Sequence, residues 1–178
     1  MTPTPTPDQG PILATERLRL VPVDFDHVDA LHALLTQEAV RRYLLDDRTV
    51  ERKWVVDFAE SSRRTFADQG FGLWAVTPRA GGGVVGLAGL WVFQGVREPQ
   101  LLYALDPAEW GKGFATEASK AVIDDAFDRL DLAEVLASTD PPNRASIRVM
   151  ERLGMRFLEA SNAGGHPLVL YRLRKNGR

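Results

Sequence analysis

With 178 residues, 44% apolar side chains and a formal net charge of −2, the chain has the size and composition of one domain with a substantial core. This balance supplies no basic footprint for nucleic acid or an anionic membrane, and no apolar run approaches the roughly 18 residues that span a bilayer. There are no cysteines, which removes disulfides, thiolate metal sites and any acyl-cysteine intermediate.

The start, MTPTPTPDQGP, lacks the basic n-region and apolar stretch of a signal peptide. It is expected to form a flexible Pro/Thr-rich tail over residues 1–13, ahead of a single domain over 14–176 in the cytoplasm. Glu16–Val23 alternates apolar and polar residues, as a strand does. Asp24 is placed to cap a helix bearing Phe25, Val28, Leu31, Leu34 and Leu35 on one side. A connection through Val40 to Leu45 leads to Thr49, the expected cap of a second helix reaching about Asp68. Phe71–Pro78 and Val84–Phe93 pattern as a hairpin around 79–83, and Pro99–Leu105 as the next strand.

A helix is expected from Gly113 or Phe114 to about Arg129, then a buried strand over Glu134–Thr139. Asn143 opens a further helix that Gly154 stops. Strands near Arg156–Ala160 and Leu168–Arg174 close a mixed, mostly antiparallel sheet. Gly81–Gly86, GGGVVG, satisfies G-x-G-x-x-G literally, but it runs into strand-forming residues rather than a helix, so a hairpin turn is the better reading. His27, His32 and His166 form no HxxxH pair and have no carboxylate at ligand spacing, so no metal site is expected.

Tyr103–Ala118, YALDPAEWGKGFATEA, carries the most chemistry. A short strand enters an Asp-Pro turn, then Gly-Lys-Gly, then an Ala-rich helix. Helix starts have unpaired N–H groups and a partial positive charge, and so bind phosphate. Gly111 and Gly113 remove side chains that would hold an anion away. The arrangement predicts a diphosphate cradle beside an extended segment.

At these residues the chain resembles the GNAT superfamily of acyl-CoA-dependent N-acetyltransferases, and within it the RimJ/RimL branch of ribosomal-protein N-terminal acetyltransferases. The matching loop, Q/R-x-x-G-x-G/A in many relatives, stands here as Trp110, Gly111, Lys112, Gly113, Phe114 and Ala115. A second match, Asn143–Phe157, resembles the family's N-x-x-S…LGF segment, with Met155 where Phe is usual. A weaker one begins at Ala14–Val23. The resemblance implies an α/β (α+β) fold with a mixed, mostly antiparallel sheet of about seven strands and helices on both faces. It also implies acetyl-CoA as co-substrate, with no metal, and direct transfer to a primary amine in a ternary complex. A homodimer is common among similar proteins, and these residues do not decide it.

The resemblance gives each residue a role. The N–H groups of Gly111, Lys112, Gly113, Phe114, Ala115 and Thr116 would take the diphosphate, with Lys112 adding charge and Thr116 a hydroxyl. The pantetheine arm would run beside Tyr103, Ala104 and Leu105 as an added strand, with an N–H at Ala104 or Leu105 stabilising the thioester oxygen. Asn143 would hydrogen-bond the arm, cap the next helix, or do both. Relatives of RimI type place a tyrosine, as acid for the departing thiolate, at the position of Met150. Since Met150 cannot donate, the role falls to Ser146, as in the RimL branch.

Many relatives have a base glutamate where Gln100 stands, so Glu98 becomes the first candidate base, with Asp140, His166 or a water relay behind it. An α-amine, with pKa ~7.7–8.0, needs less help than a lysine at ~10.4. Arg41, Arg42, Tyr43, Arg48, Trp91, Phe93 and the 162–166 turn are candidates for the acceptor groove. Two other functions fit the same residues: acetylation of a small amine, and a silent acyl-CoA-binding sensor, which Gln100 and Met150 both motivate.

Overall fold

The computed structural model describes residues 10–93, 98–162 and 165–177. Among them, eight strands form one sheet: β1 (Leu13–Ala14), β2 (Leu18–Pro22), β3 (Leu73–Pro78), β4 (Gly86–Trp91), β5 (Gln100–Leu105), β6 (Glu134–Thr139), β7 (Arg156–Ser161) and β8 (Leu168–Arg174). Their spatial order is β1-β2-β3-β4-β5-β6-β8-β7. Every neighbouring pair is antiparallel except β5 and β6, which are parallel. That one parallel pair requires a crossover, which the 114–128 helix supplies. The expected mixed sheet is present, with β1 as one strand more than the seven anticipated.

Among the described residues, five α-helices cover the sheet: α1 (Val28–Thr36), α2 (Glu38–Leu44), α3 (Arg52–Gln69), α4 (Phe114–Asp128) and α5 (Arg144–Arg152). Alternation along the strands divides the core in two. Trp74, Ala88, Leu90 and Leu101 pack with Val122, Ile123 and Phe127 of α4 and with Ile147 and Met150 of α5. Leu73, Ala75, Leu87, Leu102 and Ala104 pack with Leu31 and Leu35 of α1, Val40 of α2, and Val55 and Ala59 of α3. Met150, expected to be inert, is fully buried.

Local chemistry accounts for several boundaries. Asp24 forms a capping box: its carboxylate accepts from Phe25 N at 2.6 Å, and its own N–H donates to His27 Nδ1 at 3.0 Å. A 3-10 turn over Phe25–His27 precedes α1. Phe25, expected on the buried side, is instead exposed beneath the Arg63 guanidinium, 5.0 Å from the ring centroid. The 79–83 segment is the hairpin turn, and Gly154, at φ 80°, ends α5 as expected.

Three expectations need correction. The connection through Val40–Leu45 is largely helical, because extended Gln37 (ψ 131°) stops α1 and the chain then re-enters α2 with Val40 buried. Thr49 does not cap α3; Glu51 occupies that position, without a side-chain cap. Tail character does not extend to residue 13. Pro11 carbonyl accepts from Trp74 Nε1 at 2.7 Å, and Leu13 pairs with Leu20. Residues 1–9 lie outside the described set.

Trp74 joins these features: it is fully buried, edge-on to Phe66 with centroids 4.8 Å apart, and it holds Pro11. Trp74→Ala is expected to cost about 3–5 kcal/mol of unfolding free energy in denaturant titration. It should also expose residues 10–14 to proteolysis under native conditions.

Candidate active site

β5 and β6 are in register at one position only, Gln100 opposite Leu136. Beyond it they share no ladder, so their C-terminal halves bound a gap in the sheet. On the other edge of β5, Ala104 lies opposite Leu87, and Asp106 N–H donates to Val85 O at 2.8 Å. Alternation along an antiparallel ladder then turns the polar backbone groups of Tyr103 and Leu105 away from β4, toward the gap. Of the two residues expected to offer an N–H there, Ala104 faces β4 and Leu105 faces the gap.

The chain leaves β5 through a capped turn. Asp106 accepts from Ala108 N at 2.9 Å and holds Gln37 Nε2 at 3.1 Å. Trp110 swings its indole back to Leu105 O at 2.9 Å, so the residue at the loop's variable first position ties the loop to the strand end. Gly111 and Gly113 then take φ of 79° and 82°, backbone that side chains rarely adopt. A Cβ on Gly111 would meet nothing within 4 Å, so its glycine serves conformation and outward clearance rather than packing.

Gly113 caps α4. Its carbonyl accepts from Glu117 N at 3.0 Å, and no described group accepts from the N–H groups of Gly111 through Thr116. A row of unpaired N–H donors at the positive end of a 15-residue helix has the chemistry that favours an anion. Lys112 adds its charge at the rim, where Nζ pairs with Glu109 at 2.9 Å.

A clip from the opposite end of the sequence holds this loop. Glu117, one turn into α4, accepts from Thr15 Oγ1 at 2.5 Å, Arg17 N at 2.9 Å and Arg17 Nε at 2.7 Å. Arg17 also donates through Nη1 to Lys112 O at 2.9 Å and lies 4.9 Å above the Phe114 ring. Burial works to raise the Glu117 carboxyl, but the bonds from Thr15 and Arg17, with the Arg17 charge, outweigh it and hold it below the ordinary 4.5. Sequence reading missed this clip. Its only local sign was an acidic residue in the first turn of a helix.

On the other side of the gap, Asn143 caps α5. Its Oδ1 accepts from Ser146 N at 3.2 Å, and its Nδ2 donates to Thr139 Oγ1 at 3.0 Å. The cap uses one Nδ2 hydrogen and one Oδ1 lone pair of the Asn143 amide, which has a second of each. Ser146 meets β5 directly: the Tyr103 hydroxyl lies 2.6 Å from Ser146 Oγ and 3.1 Å from Ser146 O. Burial pushes the Tyr103 phenol up to about 12, against the lowering effect of the Ser146 bond.

The remaining candidates are spread around the groove. Gln100 is buried and accepts from Ser138 Oγ at 2.7 Å. Glu98 is exposed just ahead of β5 with no bond to a described residue. Asp140 follows β6; burial and then the Asp46 charge raise its carboxyl, and His166 pulls it back. Arg41 is taken by Asp47 at 2.7 Å, and Arg48 lies 3.7 Å from Asp46. Trp91 lies 4.7 Å from Phe58, which in turn stacks 5.0 Å from Trp54, centroid to centroid. The 162–166 turn falls partly outside the described residues.

If the clip sets the loop, Arg17→Ala should weaken acetyl-CoA binding about tenfold, ~1.4 kcal/mol, with little change in kcat. Calorimetric titration measures it. Because the Glu117 carboxyl is lowered on folding, its stabilisation is full above 4.5 and fades as pH falls through the lower folded value. Glu117→Gln should flatten that acid limb in thermal melts.

Comparison with known proteins places this geometry. Residues 17–156 match the family model for the acetyltransferase (GNAT) domain. Bacillus subtilis YkkB is 29% identical over 165 residues, covering 89% of this chain and 93% of its own. The FsC-acetyl coenzyme A-N(2)-transacetylase of Aspergillus fumigatus is 28% identical over 172 residues, covering 84% of this chain and 66% of its own. The solved structure of RimL, a ribosomal L7/L12 alpha-N-protein acetyltransferase in complex with coenzyme A, superposes with a TM-score of 0.79 at 17% identity. It spans 94% of this chain and all of that one. The fold, the cradle and the family match converge: the chain is a member of the GNAT family, an acetyl-CoA-dependent N-acetyltransferase.

Proposed function

We propose that the protein acetylates a primary amine, the α-amine of a protein N-terminus, by direct attack within a ternary complex in the cytoplasm. The observation that carries this reading is the row of unpaired N–H groups from Gly111 to Thr116 at the mouth of the β5–β6 gap. A diphosphate would take those donors, and the pantetheine amides would pair with the Tyr103 backbone in place of a missing strand. Leu105 N–H supplies the thioester oxygen with a donor where negative charge develops. As the C–S bond breaks, its electron pair goes to sulfur, and Ser146 Oγ–H donates a hydrogen bond to the thiolate. The RimL likeness supports an N-terminal acceptor. The Aspergillus relative, by its name, supports a small-molecule amine as the second reading.

For the base we place the role on Asp140, which follows β6 at the open end of the gap and whose carboxyl is raised by burial and the Asp46 charge, rather than on Glu98, which lies ahead of β5. Asp140→Asn is expected to lower kcat about 10²-fold, the lower end of general-base effects, and Glu98→Gln less than about twofold. The reverse result, read from initial rates, would return the role to Glu98.

Thiol release from acetyl-CoA should be fastest with peptides bearing a free N-terminus, in a panel that also holds polyamines, amino sugars and amino acids. Turnover on small amines alone would favour the second reading, and binding without turnover would favour a silent acyl-CoA sensor. Gly113→Glu should abolish acetyl-CoA binding by placing bulk and negative charge at the diphosphate. Gly113→Asn, which tolerates the left-handed backbone, is the control for strain. Unchanged affinity in Gly113→Glu would refute the cradle.

A further inference from the structure

We propose that Tyr103 is a positioning residue for Ser146, aiming the serine proton at the departing sulfur. This inference rests on the acetyl-transfer reading above and deepens it.

Tyr103 and Ser146 are 43 positions apart, on β5 and α5, yet their hydroxyls meet at 2.6 Å. A second acceptor, Ser146 O, lies 3.1 Å from the same phenol. The helix cap brings the serine to that place, since Asn143 Oδ1 holds Ser146 N and Thr139 holds Asn143. A lone serine hydroxyl rotates to suit its surroundings. Either hydroxyl can donate across the 2.6 Å contact; when the phenol turns its proton from Ser146 O to Oγ, the serine proton is free to go elsewhere.

The bonding balances without any added reagent. The C–S electron pair passes to sulfur, Ser146 Oγ–H turns to the thiolate, and Tyr103 Oη–H swings from the Ser146 carbonyl to Oγ. The amine proton leaves through the base to solvent, and the thiolate, with an ordinary thiol pKa of ~8.5, later takes its proton from solvent. Neither hydroxyl ends ionised. Chained hydrogen bonds polarise one another, so the phenol strengthens the donor that the sulfur meets. A phenol held at about 12 stays protonated throughout the working range, and burial keeps water from taking its place. This places in one side chain of β5 the support that a tyrosine at Met150 would otherwise give, while the same residue's backbone faces the pantetheine side of the gap.

The test is Tyr103→Phe, which keeps the ring and its packing. It is compared with Ser146→Ala and with the double variant in the full chain. Tyr103→Phe should lower kcat about tenfold with acetyl-CoA affinity within about twofold of wild type, and the double variant should match Ser146→Ala alone. A second readout needs no turnover: affinity for CoA relative to desulfo-CoA at pH 9, where the thiolate is formed. Wild type should favour CoA, and both single variants should lose that preference by about threefold or more. General loosening would weaken both ligands alike. Wild-type kcat in Tyr103→Phe, additive losses, or an unchanged CoA preference would overturn the inference while leaving acetyl transfer intact. Absence of thiol release by wild type on every amine would overturn the reading beneath it.

Discussion

Everything in this molecule follows from two parallel strands that agree at one residue pair and then part. Gln100 faces Leu136, and past that point β5 and β6 have no common ladder. Backbone polar groups left without partners are costly when dry, so a gap of this kind persists only where something else satisfies them. The same parting sets α4 and α5 with their N-termini toward the opening. Unpaired N–H groups come from one helix and a serine hydroxyl from the other. Antiparallel pairing throughout would have closed the gap and left no place for an extended ligand.

Around that opening the fold spends polar side chains on geometry. Asp106, Trp110, Asn143 and Glu117 each hold a backbone group or a loop that the ligand would touch, and none is itself a chemical participant. Trp110 takes the Leu105 carbonyl and leaves the neighbouring N–H free. Asn143 ties Thr139 to the Ser146 N–H through its amide, and the placing of the serine derives from it. Such supporting contacts are what hold a site within the small tolerances that catalysis demands.

Features with a local period or a local glycine were legible in the sequence; those built from distant pairs were not. Alternation marked β2, apolar runs and turn residues marked β3 to β8, and the Gly-Lys-Gly turn before an Ala-rich run marked the start of α4. Helix α2 escaped, because seven residues with Val40 as the one buried side chain give no readable period. Tyr103 was assigned for its backbone alone, since nothing local indicates that its phenol meets a serine on another element. The Arg17–Glu117 clip spans 100 residues and carries no pattern. Gln100 is the instructive substitution: where many relatives carry an acid, it is buried and bonded to Ser138, a neutral stitch at the root of the opening.

The anchoring of the Gly-Lys-Gly loop by Thr15 and Arg17 has a further consequence. Ordinarily a glycine-rich turn frays on its own, opening and closing without disturbing the sheet behind it. Here its carbonyl and its helix are tied to the first strands of the chain, so loosening the loop means loosening that edge as well. A bound nucleotide would therefore protect amide hydrogens in β1 and β2, far from any atom it touches, and its stabilising effect would register as resistance to global rather than local opening.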